Sequence, residues 1–289
     1  MSEAIKREEI EIKDELIHPT AIIDKTAVIG SGNKIGPFTY VGPNVEIGSN
    51  NTIYSHVVID GNTKIGDNNT IYQFASVGAH PQDLKFRGEP STLEIGNNNI
   101  IREYVTLQPG TKGGGMKTTI KDSNLLMACT HVGHDCHIGS KNIFANSATI
   151  AGHVNIGNSI LVGGLVGIHQ FVRIGDYAMI AAGSMVTKDI PPYLMAQGDR
   201  AMLIGLHQIG LERNGFSEIQ VRDLKKLYKE IFLSKEGNFS ERVASFKQEF
   251  ESSPEAKLKY DFCLFLLDSK RGIASVRSTS NRNVPAKHS

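Results

Sequence analysis

Aliphatic residues recur at every sixth position along most of this chain. A helix repeats its face every 3.6 residues and a strand every 2, so neither element explains the period. Six residues fit a short strand followed by a corner, and three such units close one triangular coil of 18 residues. Stacked coils would pair through backbone hydrogen bonds at roughly 4.8 Å. The pattern therefore predicts a left-handed parallel β-helix of hexapeptide repeats over residues 16–193.

The period is long enough to define the register of most of the rod. It holds from Ile17 to Val77, resumes at Ile95, Ile101 and Leu107, and continues after a shift of one residue from Ile120 to Val186. Two interruptions predict loops that leave the rod. Residues 80–92 carry Asp and Glu where aliphatic side chains are due, and residues 110–119 read GTKGGGMKTT. Loops on a rigid scaffold commonly carry function.

The character of the chain changes after Val186. Pro191 and Pro192 end the coil, because proline cannot donate to a β-ladder. From Ser217 the apolar residues follow helical spacing, and Ser217 with Gln220 resembles a capping box. We expect a small C-terminal helical domain over residues 194–274, a charged N-terminal extension over 1–15 and a disordered tail over 275–289.

Composition narrows the functional class. Of 289 residues, 40% are hydrophobic and 21% charged, and the net charge of +1 gives no general attraction to nucleic acid or anionic membranes. The three cysteines form no CxxC pair, which favours a reducing compartment. No signal peptide is evident, and no apolar stretch is long enough to span a bilayer. We expect a cytoplasmic protein without a membrane span or a nucleic-acid partner.

Counting in steps of 18 predicts that histidines gather on one face of the rod. That face would hold His134, His137, His153 and His169, with His131 at its edge. His134, Gly152 and Gln170 would stack on successive coils, and Asp135 would lie beneath His153. An imidazole beside a carboxylate and a glycine N–H is suited to general-base catalysis with oxyanion stabilisation.

Two other interpretations of the histidines remain open. His131, His134 and His153 could converge on a zinc ion. A rod without catalytic function would carry the same side chains as solvated surface groups. A zinc site would leave Asp135, Gln170 and the helical cap without a role, and a structural rod would have no reason to gather histidines on one face.

Several segments carry a resemblance that covers the chain from about His18 to Gly272. They are HPTA at 18–21, IYQFAS at 71–76, QDLK at 82–85, HVGHDC at 131–136, AGH at 151–153, HQF at 169–171, DIPPY at 189–193 and GLER at 210–213. With these segments the chain resembles the bacterial UDP-N-acetylglucosamine O-acyltransferase family of lipid A synthesis. The hexapeptide period alone is shared by many acyltransferases, whereas HxxHDC, AGH and HQF in this order, with QDLK in the ejected loop, are specific.

The resemblance implies a homotrimer with active sites between subunits. It also implies transfer of an R-3-hydroxyacyl group from acyl carrier protein to the 3-hydroxyl of UDP-N-acetylglucosamine. No metal and no dissociable cofactor would be needed beyond the carrier's phosphopantetheine. His134 would be the general base, Asp135 its support and Gly152 the oxyanion donor. By the same resemblance, the substrates would be bound by Gln82, Asp83, Lys85, His131, His153, His169, Gln170 and Arg213.

Four positions depart from the pattern of the family or bear on its specificity. Gln108 and Pro109 stand where the family often has His-Arg, and Asn214 where it often has a second arginine. These changes keep open a 3-amino sugar acceptor, which would give an amide product. Ala182 occupies the position of the family's acyl-length ruler, and its methyl group favours a shortened chain. A coenzyme A-dependent sugar acetyltransferase is a further alternative, although it does not predict the long helical cap.

Overall fold

The computed structural model describes residues 16–234 and 236–277. Strands of two to five residues form a triangular rod with three faces, and strands from successive coils pair in parallel on each face. The predicted left-handed β-helix is confirmed, and the first face has the nine coils that the period implies.

The strands are assigned to the three faces in rotation. Face 1 contains β1 (Ile22–Ile23), β4 (Tyr40–Val41), β7 (Val58–Ile59), β10 (Ser76–Val77), β13 (Thr106–Leu107), β16 (His131–Val132), β19 (Thr149–Ile150), β22 (Gly167–Ile168) and β25 (Met185–Val186). Face 2 contains β2 (Val28–Ile29), β5 (Glu46–Ile47), β8 (Asn62–Ile65), β11 (Thr92–Ile95), β14 (Lys117–Ile120), β17 (His137–Ile138), β20 (Asn155–Ile156) and β23 (Arg173–Ile174). Face 3 contains β3 (Lys34–Ile35), β6 (Thr52–Ile53), β9 (Thr70–Ile71), β12 (Ile100–Ile101), β15 (Leu125–Leu126), β18 (Ile143–Phe144), β21 (Leu161–Val162), β24 (Met179–Ile180), β26 (Leu194–Gln197) and β27 (Met202–Leu206).

The sixth-position residues form the core of the rod. Ile59, Ile71 and Val132, for example, are fully buried, while the residue before each of them in its strand is exposed or half-buried. A two-residue strand has no stability of its own. Burial of one aliphatic side chain per strand contributes roughly 1.5–3 kcal/mol, and stacking repeats this contribution in every coil.

A ladder of buried asparagines lines the corner between faces 2 and 3. The amide of Asn99 donates to Oδ1 of Asn69 at 3.0 Å, and the amide of Asn124 donates to Oδ1 of Asn99 at 3.1 Å. Each Oδ1 also accepts a backbone N–H from the next coil, as Asn99 does from Asn124 at 2.9 Å. These bonds satisfy polar groups that would otherwise be costly to bury.

Both ejected loops leave the rod at the corner between faces 1 and 2. The first loop, residues 78–91, joins β10 to β11, and the second loop, residues 108–116, joins β13 to β14. Their bounds differ from the predicted 80–92 and 110–119. Thr92 already pairs with Lys117, and Lys117–Ile120 forms a full strand, because the four-residue strands of face 2 continue their ladder past the usual corner.

The C-terminal region begins with a hairpin and continues as helices. β26 and β27 pair antiparallel and extend face 3, so the region predicted as a helical domain begins with a β-hairpin over residues 194–206, of which Leu194, Ala196 and Leu203 are buried at the end of the rod. The helices are α1 (Gln208–Arg213), α2 (Glu218–Phe232), α3 (Phe239–Phe250) and α4 (Lys257–Leu267), with a 3₁₀ turn at Pro254–Ala256. The predicted capping box of Ser217 and Gln220 is confirmed at the start of α2.

The terminal segments are only partly described. The predicted extension over 1–15 lies outside the described residues, as do residues 278–289 of the predicted tail. Residues 275–277 differ from the expectation of disorder, because Val276 bridges to Leu203 and Arg277 N donates to Leu203 O at 2.9 Å. Within 16–234 and 236–277, none of the helices has the length and apolar character needed to cross a bilayer.

Candidate active site

Residues from three successive coils meet at the corner between faces 1 and 2. His134–Asp135, Gly152–His153 and Gln170–Phe171 occupy equivalent positions there, directly after β16, β19 and β22. The second residue of each pair has a left-handed backbone, with φ of 59° at Asp135, 62° at His153 and 65° at Phe171. The stack of 18-residue steps expected from the sequence is present, and the two loops leave the same corner in the preceding coils.

His134 and Asp135 form a buried hydrogen-bonded pair. Nδ1 of His134 lies 2.8 Å from Oδ2 of Asp135, and the two residues are only 7% and 2% exposed. Thr111 donates to the same carboxylate from its backbone N–H at 2.8 Å and from its hydroxyl at 2.6 Å. A carboxylate with these donors accepts rather than donates, so His134 carries its proton on Nδ1 and presents the lone pair of Nε2.

Gly152 brings bare backbone against His134. A Cβ at this position would lie 2.6 Å from Cε1 of His134, so no side chain fits without displacing the imidazole. Among residues 16–234 and 236–277, the Gly152 N–H has no hydrogen-bond acceptor. A backbone donor beside the free nitrogen of a base is suited to an oxyanion that forms there.

His153 forms the wall above this pair. Its ring is perpendicular to that of His134 at 4.9 Å between centroids and stacks on Phe171 at 4.4 Å with an interplanar angle of 6°. Nδ1 lies 3.9 Å from Oδ2 of Asp135, beyond hydrogen-bond length. Burial lowers the pKa of His153, His134 lowers it further, and the charges of Asp135 and Asp83 act against this. The neutral imidazole is thereby favoured.

His131 belongs to the site, and His137 does not. His131 lies on β16 of face 1 with Nδ1 2.7 Å from Oγ1 of Thr106, and burial together with His134 lowers its pKa. His137 was predicted to share the column, but it lies on β17 of face 2, where Nδ1 is 2.9 Å from Oγ1 of Thr119. The prediction was wrong because the six residues from 132 to 137 include the corner itself, so that His137 already begins the strand on the next face.

The second loop closes over the carboxylate of Asp135. A Cβ at Gly114 would lie 2.0 Å from Cγ of Asp135, so only glycine allows the loop to approach this closely. The backbone N–H of Asp135 donates to Oγ1 of Thr118 on β14 at 2.8 Å, which fixes the main chain of Asp135. Thr111, Gly114 and Thr118 were not identified from the sequence, although the GGG run was the available signal.

The first loop brings its QDLK segment toward the same corner. Oδ1 of Asp83 accepts the N–H of Lys85 at 2.9 Å, and the charge of Asp83 acts on the pKa of His153. Glu89 accepts the N–H of Lys112 at 3.1 Å, which joins the first loop to the second. The side chains of Gln82 and Lys85 are exposed and make no side-chain hydrogen bond within the described ranges.

Two predicted site residues lie on other edges of the rod. Arg213 is the last residue of α1, which is anchored at the corner between faces 2 and 3 by a contact of 3.0 Å between Nδ1 of His207 and the carbonyl of Tyr177. Ala182 lies at the corner between faces 3 and 1. One chain therefore does not bring either residue to His134. Gln170 and His169 lie one coil above Gly152 and are exposed.

The departures from the family pattern have distinct structural roles. Gln108 is buried at the start of the second loop, and its N–H donates to the carbonyl of Val132 at 3.1 Å. Pro109 is buried beside it. The amide of Asn214 donates to the carbonyl of Gly210 at 2.8 Å and so closes the C-terminal end of α1.

The only group of metal-ligating side chains that lie together in the described parts of the chain is His134, Asp135 and His153, whose ligand atoms are all within 4.8 Å of one another. This differs from the predicted zinc set, because the ring of His131 is bonded to Thr106 and Asp135 takes its place. Both oxygens of Asp135 already accept hydrogen bonds. Beside His153 a cavity of about 600 Å³ opens toward the C-terminal region, with Phe171 and Arg271 in its wall.

The fold and this corner define a class of protein. A hexapeptide β-helix that carries a histidine base, a carboxylate partner and a backbone donor is an acyltransferase of the hexapeptide-repeat class. Two sequence families match the chain: the bacterial transferase hexapeptide (six repeats) over residues 26–61, and UDP N-acetylglucosamine O-acyltransferase, domain 2, over residues 189–274.

Relatives of known name are similar over nearly the whole chain. The acyl-[acyl-carrier-protein]–UDP-N-acetylglucosamine O-acyltransferase of Herminiimonas arsenicoxydans is 42% identical, with 89% of this chain and 98% of that protein covered. The enzyme of the same name from Sulfurovum sp. (strain NBC37-1) is 47% identical, with 91% and 99% covered. The chain belongs to the acyl-[acyl-carrier-protein]–UDP-N-acetylglucosamine O-acyltransferase family.

Solved structures agree. The UDP-N-acetylglucosamine acyltransferase of Francisella novicida is 35% identical with a TM-score of 0.86, covering 94% of this chain and all of that chain. LpxA from Acinetobacter baumannii is 48% identical with a TM-score of 0.84, covering 90% and 100%.

Proposed function

We propose that this chain transfers an R-3-hydroxyacyl group from acyl carrier protein to the 3-hydroxyl of UDP-N-acetylglucosamine, the first step of lipid A synthesis. Membership of the family supports the donor and the acceptor. The observation that carries the chemistry is the buried pair in which Nδ1 of His134 lies 2.8 Å from Oδ2 of Asp135, beside the N–H of Gly152, which has no acceptor among the described residues.

The reaction follows from the protonation state of this pair. Nε2 of His134 takes the proton of the sugar hydroxyl as the oxygen attacks the thioester carbonyl. Asp135 stabilises the imidazolium, and the N–H of Gly152 donates to the tetrahedral oxyanion. The C–S bond then breaks, and the departing sulfur takes the proton from His134. Base catalysis of this kind contributes about 10² to 10⁴ in rate, and one oxyanion donor about 10² to 10³.

The remaining residues are proposed to bind substrates. Gln82, Asp83 and Lys85 are assigned from the first loop, where the charge of Asp83 acts on the pKa of His153. His131, His153, His169 and Gln170 are assigned from the coils that stack at this corner. Arg213 and Ala182 lie on other corners, so their proposed roles at the diphosphate and the acyl end require a neighbouring copy of the chain. This separation supports the proposal of a homotrimer in which neighbouring subunits complete each site.

The proposed reaction needs no cofactor besides the phosphopantetheine of the carrier, because every proton and electron pair is accounted for by the two substrates and His134. A cytoplasmic location is also proposed. The three cysteines, Cys129, Cys136 and Cys263, are free thiols, which suits a reducing compartment.

The test is an acyl-transfer assay on the purified full chain. R-3-hydroxyacyl carrier proteins of several lengths are supplied with UDP-N-acetylglucosamine or its 3-amino analogue, and products are identified by mass spectrometry. We expect an ester with UDP-N-acetylglucosamine, lost in His134→Ala and retained in His137→Ala, which removes the face 2 imidazole. An amide formed with the amino sugar alone would reassign the acceptor, and transfer from acetyl-coenzyme A alone would overturn the proposal.

Two side experiments separate the remaining parts. A chelator and metal analysis test whether the group of His134, Asp135 and His153 uses a metal, and sedimentation measures the oligomeric state. Ala182→Gly is expected to move the preferred acyl chain to a greater length, since it removes a methyl group at the proposed ruler position. An unchanged length profile would remove Ala182 from the proposed site.

A further inference from the structure

His169 is in contact with an arginine 102 residues away in sequence. An Nη nitrogen of Arg271 lies 2.8 Å from Nδ1 of His169, while Nε of the same guanidinium donates to the carbonyl of Thr187 at 2.7 Å. A guanidinium only donates, so Nδ1 of His169 accepts and the ring hydrogen lies on Nε2. The 3.3 Å contact between Nδ1 and the carbonyl of Gln170 then joins two acceptors and is not a hydrogen bond.

The segment that carries Arg271 is fixed to the end of the rod. Asp189 N donates to the carbonyl of Gly272, and Ala274 N donates to the carbonyl of Asp189, both at 3.0 Å. The hydroxyl of Ser269 donates to Oδ2 of Asp189 at 2.8 Å, and Asp189 is fully buried. These three bonds surround Arg271 on both sides in sequence. The guanidinium of Arg271 therefore contacts both His169 and Thr187 from a segment that is hydrogen-bonded to the end of the rod.

We infer that Arg271 is a positioning residue that holds His169 as the Nε2–H tautomer. His169 then presents a fixed hydrogen-bond donor to an acceptor oxygen of a substrate, and its partner Arg271 lies in the wall of the cavity beside His153. This inference rests on the proposed function, and it adds Arg271, from the C-terminal region, to the residues that the reaction requires. Two sources of the oxygen share this chemistry: a phosphate or carbonyl of the sugar nucleotide, and an amide carbonyl of the phosphopantetheine arm.

A double-mutant cycle tests whether Arg271 acts through His169. We expect Arg271→Ala to lower kcat/KM about tenfold, the size of a lost charge-assisted hydrogen bond. In the His169→Ala background the same change is expected to have no further effect. Additive losses would overturn the inference. A selective rise in KM for UDP-N-acetylglucosamine identifies the sugar nucleotide as the source of the oxygen, and a rise for the acyl carrier protein identifies the pantetheine arm.

Two further variants separate position from charge. Arg271→Lys keeps the charge but cannot contact both His169 and Thr187, so we expect its kcat/KM to be little higher than that of Arg271→Ala. Lys188→Ala removes one positive charge from an exposed residue next to Thr187 that does not line the cavity, and its kcat/KM is expected to stay within about twofold of the unchanged chain. A loss equal to that of Arg271→Ala would mean that positive charge at this end of the rod acts without regard to position, which contradicts the inference.

The tautomer is measured independently of activity. In ¹⁵N-histidine spectra of the folded protein, the His169 signals are assigned by their loss in His169→Ala. We expect the Nε2–H tautomer in the unchanged chain and a mixture in Arg271→Ala. An Nδ1–H tautomer in the unchanged chain would overturn the inference even if acyl transfer is confirmed. Absence of acyl transfer with the expected tautomer would overturn the proposed reaction instead.

Discussion

Oδ2 of Asp135 lies 2.8 Å from Nδ1 of His134 and 2.6 Å from the hydroxyl of Thr111, so one carboxylate oxygen orients the base and is itself held by the second loop. The second loop and the stacked coils therefore both position the base in the proposed reaction. A base held in one tautomer does not have to be reorganised when the proton is transferred, which is the condition for efficient general-base catalysis.

Asp135→Asn tests this arrangement. An amide has one acceptor oxygen, so its NH₂ group must face either the N–H of Thr111, or both Nδ1 of His134 and the hydroxyl of Thr111. We expect kcat to fall about 10²- to 10⁴-fold, because His134 loses its orientation and the stabilisation of the imidazolium. Steady-state kinetics with an acyl carrier protein substrate measure the effect, and circular dichroism controls for folding. A variant with more than half of the original kcat would contradict the role of Asp135.

Gly152→Ala tests the backbone donor. The new methyl group would lie 2.6 Å from Cε1 of His134 and would displace the imidazole from the N–H of residue 152. We expect kcat to fall about 10²- to 10³-fold, the usual loss when an oxyanion donor no longer works, with a smaller change in KM. Binding of the sugar nucleotide, measured by calorimetry, serves as the control. If kcat is unchanged, the oxyanion is stabilised elsewhere.

Gly114→Ala tests whether the second loop must approach the carboxylate. A Cβ here would lie 2.0 Å from Cγ of Asp135, so the loop or the carboxylate must move. We expect at least a tenfold loss of kcat from the displaced carboxylate. Gly113→Ala is the matched control, because its nearest neighbour is Oγ1 of Thr111 at 4.0 Å. Equal losses in the two variants would show that the loop is sensitive to any added methyl group.

The asparagine ladder is expected to contribute to stability and not to catalysis. Asn99→Ala removes the donor to Asn69 and leaves the N–H of Asn124 without an acceptor in a fully buried position. We expect a loss of about 1–3 kcal/mol in the free energy of unfolding, seen as a lower Tm at unchanged kcat. Asn155→Ala, on the exposed position of β20, is the control. A Tm that falls equally in both variants would remove the special role of the ladder.

The lowered pKa values of His131 and His153 predict a pH dependence of stability. Burial is the first cause in both residues, so the folded protein binds these protons less readily than the unfolded chain, in which the pKa is about 6.5. The contribution of His131 and His153 to the free energy of unfolding is complete above a pH of about 6.5, and it is lost as the pH falls toward their pKa values in the folded protein. Thermal unfolding from pH 8 downward, at intervals of about one unit, measures this dependence.

His131→Gln isolates one of the two groups. The variant keeps a polar side chain near Thr106 but does not titrate, so the difference in Tm between it and the unchanged chain should narrow as the pH falls below about 6.5. A difference that widens toward acid would mean that folding raises the pKa of His131, contrary to the direction given by its burial.

The rod and most of the residues at the corner between faces 1 and 2 were predictable, because both follow from the six-residue period of the sequence. A strict six-residue period defines which side chains point inward, and multiples of 18 then place His134, Gly152 and Gln170 above one another. The same counting failed at His137, because the period alone does not locate the corner inside a hexad. It also extended the second loop past Met116, where the longer strand β14 begins.

Contacts that depend on loop conformation or on distant segments were not predictable. Thr111 and Gly114 reach Asp135 through a loop whose path no periodicity describes. Arg271 meets His169 because the end of the chain returns to Asp189, and nothing in the local sequence of either residue reports this. Arg213 and Ala182 were assigned to the site by resemblance, and the single chain places them on other edges of the rod.

The asparagine ladder and the catalytic stack occupy different corners of the same triangle. The corner between faces 2 and 3 repeats one buried side chain in coil after coil, whereas the corner between faces 1 and 2 holds every ejected loop that the described part of the rod contains. One edge of the rod therefore stabilises the fold, and a different edge carries the candidate active site. Exchange of residues 78–91 and 108–116 between relatives should alter the contacts at this corner without unfolding the rod, because the edge that maintains the register is left untouched.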